Sequence, residues 1–250
     1  MKALEGKVAV VTGGAGGIGT AICEALAESG AAVVVGYNRS KTQAESLAAR
    51  LPQASLPHAA LAAPVTDTAQ IEALAVEIDQ RYGRCDILVN CAGTTRFVAH
   101  ENLAGLDDAL IDTILTTNVR GAFAMLRALH PLMQRTGNAL VINISSIAAA
   151  TAMGSNVMYC ASKAALDNLT KSLARALAPD IRVVSLSPGL VDTEFVKQID
   201  QAWRDEQAAQ TPLKRLAEPK EIGQAAVAIA TSFPFTTGTI FSVDGGRPLK

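Results

Sequence analysis

The sequence is poor in aromatic residues and has no long apolar run, and each shortage excludes a class of protein. Aromatic residues make up 4% of the 250 residues, although apolar residues make up 49%. Much of the apolar content is alanine, which suits helices packed closely on a sheet better than a β-sandwich. No apolar run approaches the roughly 18 residues of a membrane span, and no charged-then-apolar leader follows Met1. We therefore expect a cytoplasmic protein with no membrane contact.

An excess of either charge and a paired cysteine motif are also lacking. The 22 basic and 23 acidic residues give a formal net charge of −1, so no basic field favours a nucleic-acid partner. Cys23, Cys85, Cys91 and Cys160 contain no CxxC pair, and no histidine cluster accompanies them. This pattern predicts buried, reduced thiols rather than disulfides or a metal site.

Short β-branched runs alternate with helical patterns along the whole chain. Strands are predicted at 7–12, 32–35, 58–63, 86–90, 138–145, 181–186 and 239–243. Between them we predict a helix after the glycine-rich loop, one capped by Ser40, one opened by a capping box of Asp67 and Gln70, one long segment over 106–133, and one over 157–178. A polar helical stretch to Gln210 and a helix begun by Pro219 follow. Such alternation requires parallel pairing, so we predict an α/β fold: a single doubly wound Rossmann-type domain over 1–250, with a seven-stranded parallel sheet and helices on both faces.

A glycine-rich loop, Thr12 to Gly19, lies between the first strand and the first helix. Glycines at this point allow a tight turn and let the backbone approach a pyrophosphate, while the helix N-terminus presents free N–H groups to the phosphates. The alternative is a glycine-rich turn that binds nothing. Its strand–turn–helix context favours a dinucleotide site.

The second predicted strand is followed by Gly36-Tyr37-Asn38-Arg39-Ser40. An NAD site usually has an acidic residue near this point to accept hydrogen bonds from the ribose 2′-hydroxyl, and none is present. Arg39 and Ser40 supply donors that suit a 2′-phosphate instead. We therefore predict NADPH rather than NADH, the alternative being a surface arginine with no ligand.

Tyr159 and Lys163 are four residues apart in a predicted helix, which places both side chains on one face. A nearby ammonium favours the phenolate form of a tyrosine, so this pair can deliver a proton. With the spacing Thr12-Gly13-x-x-x-Gly17-x-Gly19 and the motif Asn90-Cys91-Ala92-Gly93, the sequence resembles the short-chain dehydrogenase/reductase family over essentially its whole length. Further matching segments are Pro188-Gly189 with Val191 and Thr193, and Asp244-Gly245-Gly246.

The resemblance implies a catalytic tetrad of Asn118, Ser146, Tyr159 and Lys163. Tyr159 would act as general acid toward a carbonyl oxygen, with Lys163 assisting it and binding the nicotinamide ribose. Ser146, thirteen residues before Tyr159, is selected over Ser145 to hydrogen-bond the same oxygen, and Asn118 would hold a water of a proton relay.

The resemblance also implies the cofactor contacts. They are Gly13, Gly17, Ile18, Gly19, Asn38, Arg39, Ser40, Val65, Asn90, Ala92, Gly93, Tyr159, Lys163, Pro188, Gly189, Val191 and Thr193. Two positions depart from the family pattern. Pro64 stands where an aspartate is frequent, so that Val65 and backbone groups would contact the adenine, and Cys91 replaces an asparagine.

Within the family the chain looks most like 3-oxoacyl-acyl-carrier-protein reductases. We predict an NADP(H)-dependent oxidoreductase acting on a carbonyl or secondary alcohol, and the substrate is either an acyl thioester or a small keto, sugar or sterol compound. A non-catalytic NADP(H)-sensing protein is the alternative of another class. A substrate lid is expected at about 190–215, with Phe195, Val196, Ile199 and Trp203, and pocket residues at Arg96, Phe97, Met153 and Val157. The resemblance further implies a homotetramer or homodimer, and no metal is expected.

Overall fold

Seven parallel strands form the centre of the computed structural model, which describes residues 2–249. The strand order is β3-β2-β1-β4-β5-β6-β7, and every neighbouring pair is parallel. The strands are β1 Val8–Thr12, β2 Ala32–Tyr37, β3 Ala59–Ala62, β4 Ile87–Asn90, β5 Ala139–Ile144, β6 Ile181–Pro188 and β7 Ile240–Val243. The doubly wound seven-stranded α/β fold predicted from the alternating pattern is therefore confirmed.

Helices cover both faces of this sheet because successive strand residues point to opposite sides. Ala9 and Val11 pack with one group of helices, and Val10 packs with the other. The helices are α1 Gly17–Glu28, α2 Lys41–Arg50, α3 Thr68–Tyr82, α4 Asp108–Leu115, α5 Gly121–Gln134, α6 Ala148–Thr151, α7 Val157–Leu177, α8 Glu194–Lys197, α9 Gln201–Gln210 and α10 Pro219–Ser232. Helices α1, α2 and α10 bury apolar residues on the first face, and α3, α5 and α7 bury them on the second. Among residues 2–249, the structure contains no helix long and apolar enough to cross a lipid bilayer.

Strands β2 and β3 are added on one side of β1, and β4 to β7 are added on the other side. This change of side between β1 and β4 creates a crevice at their carboxyl ends. Thr12 holds this crevice in shape from the end of β1. Its buried hydroxyl oxygen accepts hydrogen bonds from the backbone N–H groups of Cys91 and Ala92, at 3.1 and 3.0 Å. The loop after β4 is thereby fastened beside the glycine loop, and both open into the crevice.

The long helical segment predicted over 106–133 is present, and it consists of two α-helices joined without a gap by a π-helical turn. The turn spans Thr116–Arg120 and contains Asn118. The amide of Asn118 bonds to Thr94 and Ser162, on segments outside this helix. The local widening follows from these contacts, and turns of this kind are frequent at functional sites.

Two predicted helix caps also differ from the structure. Ser40 precedes α2, but its side chain makes no capping hydrogen bond. Asp67 caps α3 by accepting from the Gln70 N–H, whereas the Gln70 side chain bonds the Asp67 carboxylate instead of its backbone. The reciprocal half of that capping box is lacking because the Asp67 N–H is bonded to the carbonyl of Pro64.

Asp86, just before β4, forms hydrogen bonds and ion pairs at the amino-terminal end of the sheet. Its buried carboxylate accepts from the Val8 N–H at 2.9 Å, from the Lys7 ammonium at 3.1 Å and from Arg84 at 2.6 and 2.8 Å. Burial alone would raise the pKa of Asp86, but the bonds from Arg84, Val8 and Lys7 outweigh it and hold the pKa below its usual value. Because the folded-state pKa is lowered, this stabilisation is full above about pH 4 and is lost as the pH falls through the folded-state pKa.

We expect Asp86→Asn to lower the free energy of unfolding by about 2 kcal/mol at pH 7, since the variant leaves two cations unpaired. This value lies below that of a fully buried pair because Lys7 and Arg84 are 38% and 39% exposed. Urea unfolding at pH 7 and pH 3 measures it, and the difference from the wild type should shrink at pH 3. Asp79→Asn, which breaks an exposed pair with Arg135, is the matched control and should change stability by less than about 1 kcal/mol. An Asp86→Asn effect that is unchanged at pH 3 would contradict the charge-based account.

Candidate active site

The glycine loop packs so tightly that larger residues would not fit at two of its positions. Gly13 has a φ of +63°, and a Cβ there would lie 3.0 Å from the Cα of Ala92. A Cβ on Gly19 would overlap the carbonyl oxygen of Gly13. Helix α1 then begins at Gly17 with no side-chain cap and no acidic residue in its first turn. Its free N–H groups and positive dipole end are therefore available to a phosphate.

Arg39 lies at the edge of the same crevice, after β2. It is exposed, as are Asn38 and Ser40. Within residues 2–249 its guanidinium forms no ion pair and no hydrogen bond, while the nearby Lys41 is paired with Glu45. An unpaired guanidinium with no acidic neighbour at 36–40 suits a phosphate ligand.

Lys163 is buried beside Tyr159. The residue is 6% exposed, and its ammonium donates to the carbonyl of Ile144 at 2.7 Å and lies 5.6 Å from the centre of the Tyr159 ring. The ring of Tyr159 is half-buried, and no residue in 2–249 is hydrogen-bonded to its hydroxyl. An ammonium has three donors, so this arrangement leaves donors for a ligand in the crevice.

Asn118 is joined to the loop after β4 and to α7 by its side chain. The amide oxygen accepts from the Thr94 N–H at 2.8 Å, and the amide nitrogen donates to the Thr94 carbonyl and the Ser162 hydroxyl at 3.1 and 3.0 Å. Gly93 lies close to both Asn118 and Lys163, since a Cβ on it would be 3.4 Å and 3.8 Å from their polar atoms. The structure thus brings Asn118, Tyr159 and Lys163 into one region.

Two serines follow β5, and they differ in access. Ser145 is buried at 4% exposure and its hydroxyl has no hydrogen-bond partner in residues 2–249. Ser146 is half-buried, and its hydroxyl oxygen accepts weakly from the Ala148 N–H at 3.2 Å. The more accessible hydroxyl belongs to Ser146, the residue that the spacing from Tyr159 selects.

The side chain of Asn90, expected among the cofactor contacts, is occupied within the fold. It is buried and donates to Asn143 at 2.9 Å and to the carbonyl of Ala122 at 3.3 Å. These bonds use only the amide nitrogen, because the buried amide oxygen of Asn90 has no hydrogen-bond partner within residues 2–249. Cys91 packs against the core, and burial raises the pKa of its thiol to about 12 even though Lys163 acts in the opposite direction.

The segment after β6 reaches the glycine loop through Thr193. The Thr193 methyl lies within 2.8 Å of the position a Cβ on Gly17 would take, and its hydroxyl caps α8 by accepting from the Val196 N–H. Pro188 and Gly189 are held by bonds to β7 and to the segment before α6: the Pro188 carbonyl accepts from Ile147, and the Gly189 N–H donates to Val243. Val191 is buried at the start of this segment.

Two other residues of the predicted site, Val65 and Arg96, have their main contacts within the protein. Val65 is buried after β3 and packs closely against Gly121 at the start of α5. Arg96, expected to line the pocket, instead donates to the carbonyl of Gly105 at 2.7 Å and lies 3.7 Å from Asp107. In residues 2–249 no group of three or more His, Cys, Asp or Glu side chains is placed to hold a metal ion.

Asn156 is a residue of this site that the sequence analysis missed. Its fully buried side chain caps α7 by accepting from the Tyr159 N–H at 2.7 Å, and it donates to the Arg96 carbonyl at 2.7 Å and to the Thr95 hydroxyl at 3.2 Å. An asparagine immediately before a helical pattern is a cap signal, so the first contact was available from the sequence. The contacts to the loop after β4 were not, because they join residues about sixty positions apart.

Known proteins resemble this chain over almost all of its length. The family model described as enoyl-(acyl carrier protein) reductase matches residues 13–247. A 3-oxoacyl-[acyl-carrier-protein] reductase of Thermotoga maritima is 33% identical over 248 residues, covering 97% of this chain and 98% of the relative.

Two solved structures share the fold closely. The 3-ketoacyl-(acyl-carrier-protein) reductase of Brucella melitensis, complexed with NADH, has a TM-score of 0.88 at 31% identity and covers 98% of this chain and 99% of its own. A gluconate 5-dehydrogenase of Burkholderia cenocepacia, in complex with NADP and tartrate, has a TM-score of 0.90 at 31% identity, with coverages of 99% and 97%. With the glycine loop and the Tyr159–Lys163 pair, these matches show that the chain belongs to the short-chain dehydrogenase/reductase family of oxidoreductases, which bind a nicotinamide cofactor.

Proposed function

We propose that this protein interconverts a carbonyl compound and its secondary alcohol with NADP(H). The observation that carries the proposal is the buried Lys163 ammonium, held 5.6 Å from the Tyr159 ring at the crevice beside the glycine loop. A non-catalytic NADP(H)-sensing protein has no need for a buried cation beside a tyrosine. The burial of Lys163 therefore favours an enzyme.

The chain supplies the proton chemistry of this reaction. When bound, the nicotinamide cofactor supplies or accepts the hydride. Tyr159 donates its phenolic proton to the carbonyl oxygen as that oxygen gains negative charge, and Lys163 stabilises the phenolate left behind. Ser146 donates a hydrogen bond to the same oxygen. Asn118 holds the π-helical turn next to Lys163, where a water can return the proton.

The cofactor would lie across the crevice with its pyrophosphate over the glycine loop. Gly13, Gly17, Ile18 and Gly19 would contact the phosphates at the uncapped start of α1. The remaining contacts are proposed as follows: Asn38, Arg39 and Ser40 at the 2′-phosphate, Val65 at the adenine, Asn90, Ala92, Gly93, Tyr159 and Lys163 along the riboses, and Pro188, Gly189, Val191 and Thr193 at the nicotinamide. One solved relative holds NADH and another holds NADP. The preference for NADP(H) is therefore argued from the unpaired Arg39.

We also propose that the chain is one catalytic domain whose segment 190–215 forms a lid. Two contacts hold that segment in the structure: Arg204 pairs with Asp192 at 2.8 Å, and Arg247 donates to the carbonyl of Gln207 at 2.8 Å. That the protein forms a homodimer or homotetramer stays a prediction. That its substrate is attached to an acyl carrier protein also stays a prediction.

Removing the phenolic hydroxyl tests the acid role. We expect Tyr159→Phe to lower kcat by about a thousandfold, because the proton donor is lost, while the dissociation constant for NADPH changes by less than about threefold. Turnover assays and NADPH fluorescence titration measure the two quantities. Tyr82→Phe, which removes a hydroxyl bonded to the Pro57 carbonyl, is the matched control and should retain full turnover. Substantial turnover by Tyr159→Phe would refute the assignment.

Arg39→Ala tests the cofactor preference. We expect kcat/KM for NADPH to fall about tenfold or more and kcat/KM for NADH to stay within about twofold, since only NADPH carries the 2′-phosphate. Steady-state kinetics with both cofactors decides it, and Arg135→Ala serves as the control at a distant, paired arginine. A wild type that prefers NADH, or a variant that loses both cofactors equally, would overturn the proposal.

Variants of Asn156 separate its cap on α7 from its hydrogen bonds to the loop after β4. Asn156→Ser keeps an oxygen that can accept from the Tyr159 N–H but lacks the amide nitrogen that donates to Arg96 and Thr95, and its shorter side chain does not reach both acceptors. We therefore expect KM for the carbonyl substrate to rise with kcat little changed. Asn156→Ala loses the cap as well, which should lower stability by about 1 kcal/mol and reduce kcat.

Thermal unfolding and steady-state kinetics measure these effects. Asp67→Ala, which removes the cap of α3, should lower stability by a similar amount without changing either kinetic constant. Equal kinetic losses in both Asn156 variants would argue against separate roles for the two contacts.

A further inference from the structure

We propose that the substrate is a flat, apolar ring ketone that binds against a cluster of three aromatic side chains, Phe97, Phe195 and Trp203. This inference rests on the proposed carbonyl reduction and adds the class of compound reduced. We call these three residues the aromatic cluster.

The aromatic cluster joins two segments that are far apart in sequence. Phe97 lies in the loop after β4, whereas Phe195 and Trp203 lie in α8 and α9. The rings of Phe97 and Phe195 are nearly parallel, with centres 6.3 Å apart and planes 7° apart, and Trp203 meets Phe97 edge-on at 6.2 Å. Parallel and edge-on faces of this kind are the geometry in which a further aromatic ring adds favourably.

Hydrogen bonds place this cluster next to the candidate proton donor. Asn156 donates to the carbonyl of Arg96, the neighbour of Phe97, and accepts from the N–H of Tyr159. The Val98 N–H donates to the Ser155 carbonyl at 2.9 Å, on the other side of Phe97. The Phe97 loop is thus fastened to the segment that enters α7, within one helical turn of Tyr159.

The same region exposes apolar surface from three segments. Phe97 is 52% exposed, Phe195 is 59% exposed and Met153, just before α7, is 47% exposed. Large apolar side chains from separate segments that gather at a crevice mark a ligand-binding surface. An apolar substrate would cover these side chains.

Polar side chains around the cluster already have hydrogen-bond or ion-pair partners within the protein. Thr95 is bonded to Ser155, and His100 is bonded to the carbonyl of Gly154 at 3.1 Å. Arg96 is turned toward Gly105, and Glu194 is paired with Lys197 at 2.8 Å. A hydroxyl-rich or anionic substrate would have to displace these bonds, whereas a ring ketone presents one polar atom, its carbonyl oxygen, for Tyr159 and Ser146.

Three ketones of different class test the proposal: 2-tetralone as the flat apolar ring, the N-acetylcysteamine thioester of 3-oxobutanoate as the linear acyl compound, and fructose as the polyhydroxy ketone. We expect kcat/KM of the wild type to be at least about tenfold higher for 2-tetralone than for the other two. Phe97→Leu and Phe195→Leu keep apolar bulk but lose the aromatic face, and each should raise KM for 2-tetralone by a larger factor than KM for the thioester or for fructose. Phe235→Leu, at a fully exposed phenylalanine outside the cluster, is the matched control and should change neither.

Fluorescence gives a readout of binding without turnover, because Trp203 is the single tryptophan of the chain. Titration with 2-tetralol, the alcohol of 2-tetralone, should change its emission with saturation, and Phe97→Leu should weaken that binding. A preference for the thioester or for fructose, or variants that affect every ketone alike, would overturn the ring-ketone proposal and leave carbonyl reduction standing. Failure to reduce any ketone with either cofactor would overturn the proposed function, and this inference with it.

Discussion

A buried ammonium is the constraint on which the rest of this site depends. Burying a lysine charge costs free energy unless hydrogen bonds and nearby negative potential replace its water. Lys163 donates one such bond to the Ile144 carbonyl, at the end of β5, and faces the electron-rich ring of Tyr159. The end of β5 and the first turns of α7 must therefore stay in register, because a shift of either would leave the ammonium without its acceptor.

Amide side chains maintain that register from several directions. Asn118 joins the π-helical turn to Ser162, which precedes Lys163 in α7. Asn156 joins the first turn of α7 to the loop after β4. Thr12 fastens the beginning of the same loop to β1 by accepting two of its backbone N–H groups. These polar contacts all converge on the crevice, so the candidate proton donor and the cofactor loop are positioned by one connected set of hydrogen bonds.

Periodicity and spacing predicted the sheet, the glycine loop and the Tyr159–Lys163 pair because each depends on residues close together in sequence. The π-helical turn within the helical segment over 106–133 was invisible to periodicity, since it accompanies the bonding of Asn118 to distant segments. Arg96 gives a similar case, because the sequence did not show that its guanidinium donates to the carbonyl of Gly105. Local signals thus indicated the candidate catalytic residues, and the structure was needed to show which polar groups are already occupied.

The polar groups that already have hydrogen-bond partners also bear on which class of substrate the site can bind. A pocket selects hydroxyl-rich compounds by offering unpaired donors and acceptors, and it rejects them when its polar groups already bond to one another. Thr95, Ser155 and Asn156 bond among themselves and fix the loop that carries Phe97. The same hydrogen bonds that position Tyr159 therefore leave the apolar faces of Phe97 and Phe195 as the surface open to a ligand. In this way the positioning of the candidate proton donor and the proposed preference for an apolar ring have one physical origin.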